Sequence, residues 1–207
     1  ITANSNSSTG ALLAVNAAGS LDTSAAIIAV TNNSSGNGAG ARANLIAANG
    51  YNKVGSMSVN GFNTAVLNAT ATGDATAAGT ASASTTAASG HAEANLASTA
   101  AGVGIAEGGS LAATASGNLG AADVNLTGVT GATLDGNASA TAASGTASLA
   151  ITTTGGTDAS IVQGANSVLS ASGATSLVAI NAGNVSPNAG NAAGFALNGD
   201  VQARSLG

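Results

Sequence analysis

A five-residue pattern returns three times in this chain, as Ala41-Arg42-Ala43-Asn44-Leu45, Ala92-Glu93-Ala94-Asn95-Leu96 and Ala122-Asp123-Val124-Asn125-Leu126. In each copy the odd positions are small or apolar and the even ones polar. A period of two is what a strand with one buried and one wet face requires, because successive side chains leave a strand on opposite sides. Ala41, Ala43, Leu45, Ala92, Ala94, Leu96, Ala122, Val124 and Leu126 are therefore the expected inner face, on which core and assembly depend. Arg42, Glu93, Asp123 and the three asparagines are expected in water.

The pattern also limits how thick the core can be. Alanine makes up most of the 44% hydrophobic share, and a buried group the size of CH₂ contributes only about 0.8 kcal/mol. Larger apolar side chains such as Leu12, Ile28, Leu67 and Ile161 are scattered. The chain is nevertheless not of the disordered kind, which combines low hydropathy with high net charge. Its mean hydropathy is +0.34 and its formal net charge −5. Small residues also lose little side-chain entropy on ordering. A thin core of close backbone contacts is then within reach, above all where identical neighbours supply part of the contact.

Glycine punctuates the strands. Gly73, Gly90, Gly102, Gly117, Gly131, Gly145, Gly156 and Gly173 close short segments of unequal length. Asn-Gly pairs at 49–50, 60–61 and 198–199 add hairpin-type signals. Short strands with turn residues between them predict an all-β fold, a β-solenoid or β-sandwich. The competing helix reading is strongest over 74–90, where alanine is dense. Gly79, Gly90 and the many Ser and Thr residues favour strands there as well. Residues 10–207 read as a single β-rich domain. The polar stretch 1–9 reads as a flexible arm or a strand donated to a neighbour, and Phe195 to Leu197 as the last strand after a loop around Pro187.

Composition removes several function classes. Arg42, Lys53 and Arg204 are the only basic residues, too few for a phosphate-binding patch, so no nucleic acid is expected as a partner. No apolar run reaches the roughly 20 residues of a membrane span. Cysteine is absent, and with it disulfides and thiolate metal sites. Ile1 begins without a basic flank or long apolar segment, as in the mature form of a secreted bacterial protein. No catalytic, cofactor or metal site is expected. His91, the single histidine, shares a strand face with Glu93, but no activated nucleophile accompanies them. Gly155 to Gly164 carries part of a calcium-binding nonapeptide pattern, without the glycine at its fourth place and without tandem copies. The acids are expected to keep the surface soluble.

Two stretches, Gly61 to Gly73 (GFNTAVLNATATG) and Gln163 to Gly173 (QGANSVLSASG), resemble the repeats of bacterial functional amyloids of the curlin and FapC kind. Those families space glutamines regularly, whereas this chain has only Gln163 and Gln202. The resemblance implies a secreted subunit that stacks strand on strand into a surface or biofilm-matrix fibre. Its partner would be further copies of itself, with a surface or matrix polysaccharide as the second candidate. Two alternatives stand beside it. An ice-binding solenoid would use flat arrays such as Ala69 to Gly73 (ATATG) and Thr80 to Thr86 (TASASTT), although the unequal glycine-bounded segments argue against a regular array. A segment of a larger surface adhesin would share the same composition.

Overall fold

The computed structural model describes residues 1–36, 38–155, 159–182 and 195–206. The chain runs in circuits of three strands. The first holds β1 (Thr2–Ser5), β2 (Ala11–Ala17) and β3 (Leu21–Asp22), the second β4 (Ile27–Asn32), β5 (Gly40–Ala47) and β6 (Asn52–Val54). Next come β7 (Ser56–Gly61), β8 (Thr64–Ala71) and β9 (Ala75–Ala77), then β10 (Thr80–Thr85), β11 (His91–Ser98) and β12 (Val103–Ile105). The fifth and sixth circuits are β13 (Ser110–Ala115), β14 (Ala121–Gly128), β15 (Gly131–Leu134) and β16 (Asn137–Ala142), β17 (Thr146–Thr153), β18 (Ser160–Gln163). The seventh holds β19 (Val168–Gly173), β20 (Thr175–Asn181) and β21 (Phe195–Leu197), and β22 (Asp200–Ser205) follows it.

Each strand pairs with the strand three further along, in parallel. The result is three sheets. Sheet I runs β1-β4-β7-β10-β13-β16-β19-β22, sheet II β2-β5-β8-β11-β14-β17-β20, and sheet III β3-β6-β9-β12-β15-β18-β21. The molecule is a parallel β-solenoid, and no helix occurs among the described residues. Residues 74–90 form strands too, as β9 and β10.

Three expectations change. The Asn-Gly pairs close no hairpins, because parallel strands need a long connection and here the rest of the circuit provides it. Circuits are also longer than the glycine-bounded segments. In sheet II Gly40 is in register with Thr64, whereas Ala11 is in register with Ala41, a longer way round. Glycine marks several corners per circuit, and the length varies in those corners while the strands stay in register. Thirdly, residues 1–9 include a rung of the solenoid. Thr2 to Ser5 pair with Ala29 to Asn32 of the same chain. At the other terminus β22 follows the strand expected to be last. The loop around Pro187 and the aspartate of the nonapeptide-like stretch, Asp158, lie outside the described residues.

Most corner glycines are there for space. A Cβ on Gly117 would run into the carbonyl oxygen of Ala87, and one on Gly145 into that of Gly120, in each case one rung away. Gly50, at φ +145°, is among the four described glycines whose backbone itself disfavours an L side chain. Buried amides finish the corners. Asn52 Nδ2 donates to the carbonyls of Leu45 and Thr70 at 2.9 and 3.1 Å. Gln163 Nε2 donates to those of Ser167 and Asp200 at 3.0 and 3.1 Å. These donors add side-chain hydrogen bonds to backbone carbonyls inside the solenoid.

The core is one continuous column of small side chains with a few larger ones among them. Sheet II shows the packing rule. Rung β5 points Ala43 and Leu45 inward, β8 Leu67 and Ala69, and β11 Ala94 and Leu96. One leucine per rung, shifted by two places in β8, keeps the inward volume level along the stack, which native packing density demands.

Candidate functional site

All nine residues of the recurring pattern sit on the inner wall of sheet II and are buried. In-register pairing places Ala43, Leu67, Ala94 and Val124 in one column and Leu45, Ala69, Leu96 and Leu126 in the next. They face sheets I and III, so a molecule laid against sheet II cannot touch them. Contact with other molecules falls to the outer faces and to the two ends.

The outer face of sheet II carries an asparagine ladder. Asn68 Nδ2 donates to Asn44 Oδ1 at 3.1 Å, Asn95 Nδ2 to Asn68 Oδ1 at 2.7 Å, and Asn125 Nδ2 to Asn95 Oδ1 at 2.9 Å. Three of these asparagines belong to the recurring pattern, while Asn68 was missed. Its strand reads Ala65-Val66-Leu67-Asn68-Ala69, with the asparagine in place but the leucine moved by two. Asn95 also donates to Glu93 Oε1 at 2.9 Å. His91 shares this outer face with Glu93, as the alternation implies, and meets a different acid. Its Nε2 lies 2.7 Å from Asp123 Oδ2 on the next rung. Both groups are part-exposed on the outer face of sheet II.

Sheet I shows a different outer face. Its middle columns read Thr2, Ala29, Ser58, Ser82, Ala112, Ser139, Ser170 and Asn4, Thr31, Asn60, Ser84, Thr114, Thr141, Ser172. Charge enters this sheet only with Asp200 and Arg204 of β22. On sheet III a shallow groove of about 510 Å³ runs beside Asp74, Thr76, Gly104, Thr133 and Asp135. It arises because Gly104 has no side chain between Thr76 and Thr133, its rung neighbours. Among the described residues no group of three or more His, Asp or Glu could hold a metal ion.

The ends carry most of the exposed apolar side chains, with Leu119 between β13 and β14 the main exception. Those at the ends include Leu12 and Ile27 in the first two circuits and Leu177, Phe195, Leu197 and Val201 in the last strands. The edge strands of sheet II also match each other. By register, Ala11, Leu12, Leu13, Ala14, Val15 and Asn16 share columns with Ser176, Leu177, Val178, Ala179, Ile180 and Asn181. Leucine, alanine and asparagine are identical, and Leu13 with Val178 and Val15 with Ile180 are apolar in both. Leu12 and Leu177 are 63% and 56% exposed on the outer face. The same column holds Arg42, Val66, Glu93, Asp123 and Ser148 in the rungs between. In sheet III, Leu21 shares its column with Phe195. No model of a known protein family matches the chain, and no curated protein or solved structure matches it significantly.

Proposed function

We propose that this chain is a structural subunit that stacks end to end on its own copies into an extracellular filament. Its role would be a scaffold or adhesive fibre of a bacterial surface or biofilm matrix, of the curlin and FapC kind. The observation that carries the reading is the match between β2 and β20. An open strand edge is a template for another chain, and soluble proteins guard it with lysine, proline or inward charge. Neither β2 nor β20 contains a charged residue or a proline. Stacking β2 of one copy on β20 of another continues the columns of sheet II: leucine on leucine, asparagine on asparagine, valine on isoleucine. A contact between two different ends does not close on itself and so propagates.

The asparagine ladder supports the same reading. Side-chain amides stacked in register are a recurring feature of cross-β assemblies, and here asparagine takes the place that glutamine has in the amyloid families. Electron microscopy of the purified chain tests the proposal. Seven rungs at about 4.8 Å each give a filament with an axial repeat of roughly 34 Å. Monodisperse particles at all concentrations would refute it.

The outer face of sheet I favours one second reading, an ice-binding surface. Its Ser, Thr, Asn and Ala columns are uncharged through β19, and the varying circuit lengths leave their register intact. The segment-length objection to a regular array therefore does not hold. Thermal hysteresis of the unassembled protein, abolished by Ser82→Lys, would select this reading over the filament.

A further inference from the structure

In the middle of sheet III, strand β12 is almost bare on its outer side. Val103 and Ile105 point inward and are buried, and alternation leaves Gly102, Gly104 and Ala106 for the outer face. The rungs on either side are not bare. Strand β9 carries Thr76 outward with Asp74 just before it, and β15 carries Thr133 with Asp135 just after it. The groove of about 510 Å³ is the trough left between them, running across the solenoid axis. Its volume falls within the roughly 300–1,000 Å³ of small-ligand sites. It is built from the third to the sixth circuits and takes nothing from either end of the solenoid.

The polar groups of the trough suit an elongated partner. By register Asp74 stands level with Gly102, and Asp135 with Ala106, so the two carboxylates lie on opposite walls and at opposite ends. Strand spacing and rise separate them by roughly 16 Å along the diagonal. Asp74 Oδ1 accepts from the Gly102 N–H at 2.9 Å, which fixes that carboxylate beside the trough. The Asp135 side chain has no hydrogen bond or ion pair among the described residues. Between the acids, Thr76 and Thr133 flank Gly104, and neither hydroxyl bonds to a described residue. No lysine or arginine is among the described residues that line the trough. Lys53 stands one rung beyond it, between Asp22 and Thr76 in its column.

An anion laid here would meet two carboxylates and no counter-charge. A partner with a cation towards each end finds an acceptor at both, and complementarity of this kind selects among partners. A plain polyamine would satisfy the ends alone. The threonine hydroxyls in the middle both donate and accept, and they match a partner with hydroxyls of its own. We propose that the trough binds a linear glycan bearing free amino groups, its ammonium groups at Asp74 and Asp135 and its hydroxyls at Thr76 and Thr133. The site lies within one chain, so binding needs no stacking and stacking needs no glycan.

Calorimetric titration of the chain with a glucosamine oligosaccharide tests this, beside its N-acetylated counterpart, an oligouronate and spermine. The glucosamine oligomer should bind most tightly, and less so as salt rises, while the oligouronate should not bind. Asp135→Asn should weaken the glucosamine oligomer about threefold to fivefold, the scale of one exposed ion pair. Adding Asp74→Asn, which keeps an oxygen for the Gly102 N–H, should remove the preference for the amine over the acetylated form. Thr76→Val together with Thr133→Val should weaken both glycans and leave spermine unchanged. Thermal melting checks that each variant folds, and Glu93→Gln on sheet II should bind like the parent. The proposal is overturned if the glucosamine oligomer does not bind or if the oligouronate binds as well. Spermine binding as tightly as the glycan would overturn it too, as would an affinity that both aspartate substitutions together leave untouched.

Discussion

Strands β11 and β20 lie in the same sheet, in register through β14 and β17, yet they are built for different surroundings. In β11 both edges are paired, by β8 and β14. Its outward residues are His91, Glu93, Asn95 and Ala97, of which Asn95 joins the ladder. In β20 one edge is paired, by β17, and the outward residues are Thr175, Leu177, Ala179 and Asn181. The inward residues scarcely differ in kind: Ala94 and Leu96 in one strand, Val178 and Ile180 in the other. The inner face thus follows the fold, which is the same at every rung. The outer face follows the neighbours, which differ between middle and end. Charge in the middle keeps the lateral face wet, and under the proposed stacking leucine at the end would meet its counterpart in a copy.

The sharpest way to break this comparison is to put a charge on the inner face. Leu96→Asp buries a carboxylate with no partner, costing several kcal/mol, and circular dichroism should show loss of the strand signal. Filaments would disappear with it. If Leu96→Asp folds and melts like the parent, the inner face is wrongly assigned.

Leu177→Asp asks the same question of the end. The side chain is exposed in the single chain, so its melting should move by no more than about 0.5 kcal/mol, yet sedimentation should find no assembly. A variant that assembled as well as the parent would separate the matched ends from any role in contact.

The ladder comes next. Asn95→Ala removes its bonds to Asn68, Asn125 and Glu93, and a neutral hydrogen bond contributes about 1 kcal/mol net. Denaturant unfolding should show a loss of about 1–3 kcal/mol for the three together, with the midpoint shifted and the slope unchanged. Glu93→Gln keeps the wet face wet and should change stability by less than about 0.5 kcal/mol, with filaments intact. Equal effects from Leu96→Asp and Glu93→Gln would erase the distinction between the two faces.

The smallest effect concerns Asp22 at the first circuit. The Ser24 hydroxyl donates to Asp22 Oδ1 at 2.6 Å and its backbone N–H at 2.9 Å, and these bonds lower the carboxyl's pKa. A lowered pKa in the folded chain means a contribution present above the ordinary carboxylate range and lost as pH falls through the folded value. The group is fully exposed, so the loss should be slight. Asp22→Asn should lower stability very slightly at neutral pH, leave it unchanged in strong acid, and so flatten the acid limb of the melting curve a little.

How much of this was readable beforehand follows from the range of each effect. Alternation along a strand is a property of adjacent residues, so Ala41 to Leu45, Ala92 to Leu96 and Ala122 to Leu126 announced their buried sides directly. The ladder was half visible. Asn44, Asn95 and Asn125 stood out as outward residues, but nothing local said that they share a column, and Asn68 was hidden by its displaced leucine. That His91 and Glu93 share a face was legible, but the acid that His91 meets, Asp123, is its neighbour across the sheet and not along the chain.

The amino-acid order by itself determined that the chain forms strands, which side of each is dry, and how slight the core must be, because side-chain period and volume act over a few residues. Only the tertiary structure decided which rung lies on which. Strands a full circuit apart are brought into register by corners whose lengths vary, and no local period records that sum. The likeness of residues 11–16 to 176–181 stands in plain sight in the sequence. It gains meaning only when the two strands turn out, among the described residues, to stand at opposite edges of one sheet, because matching side chains matter where strands can pair.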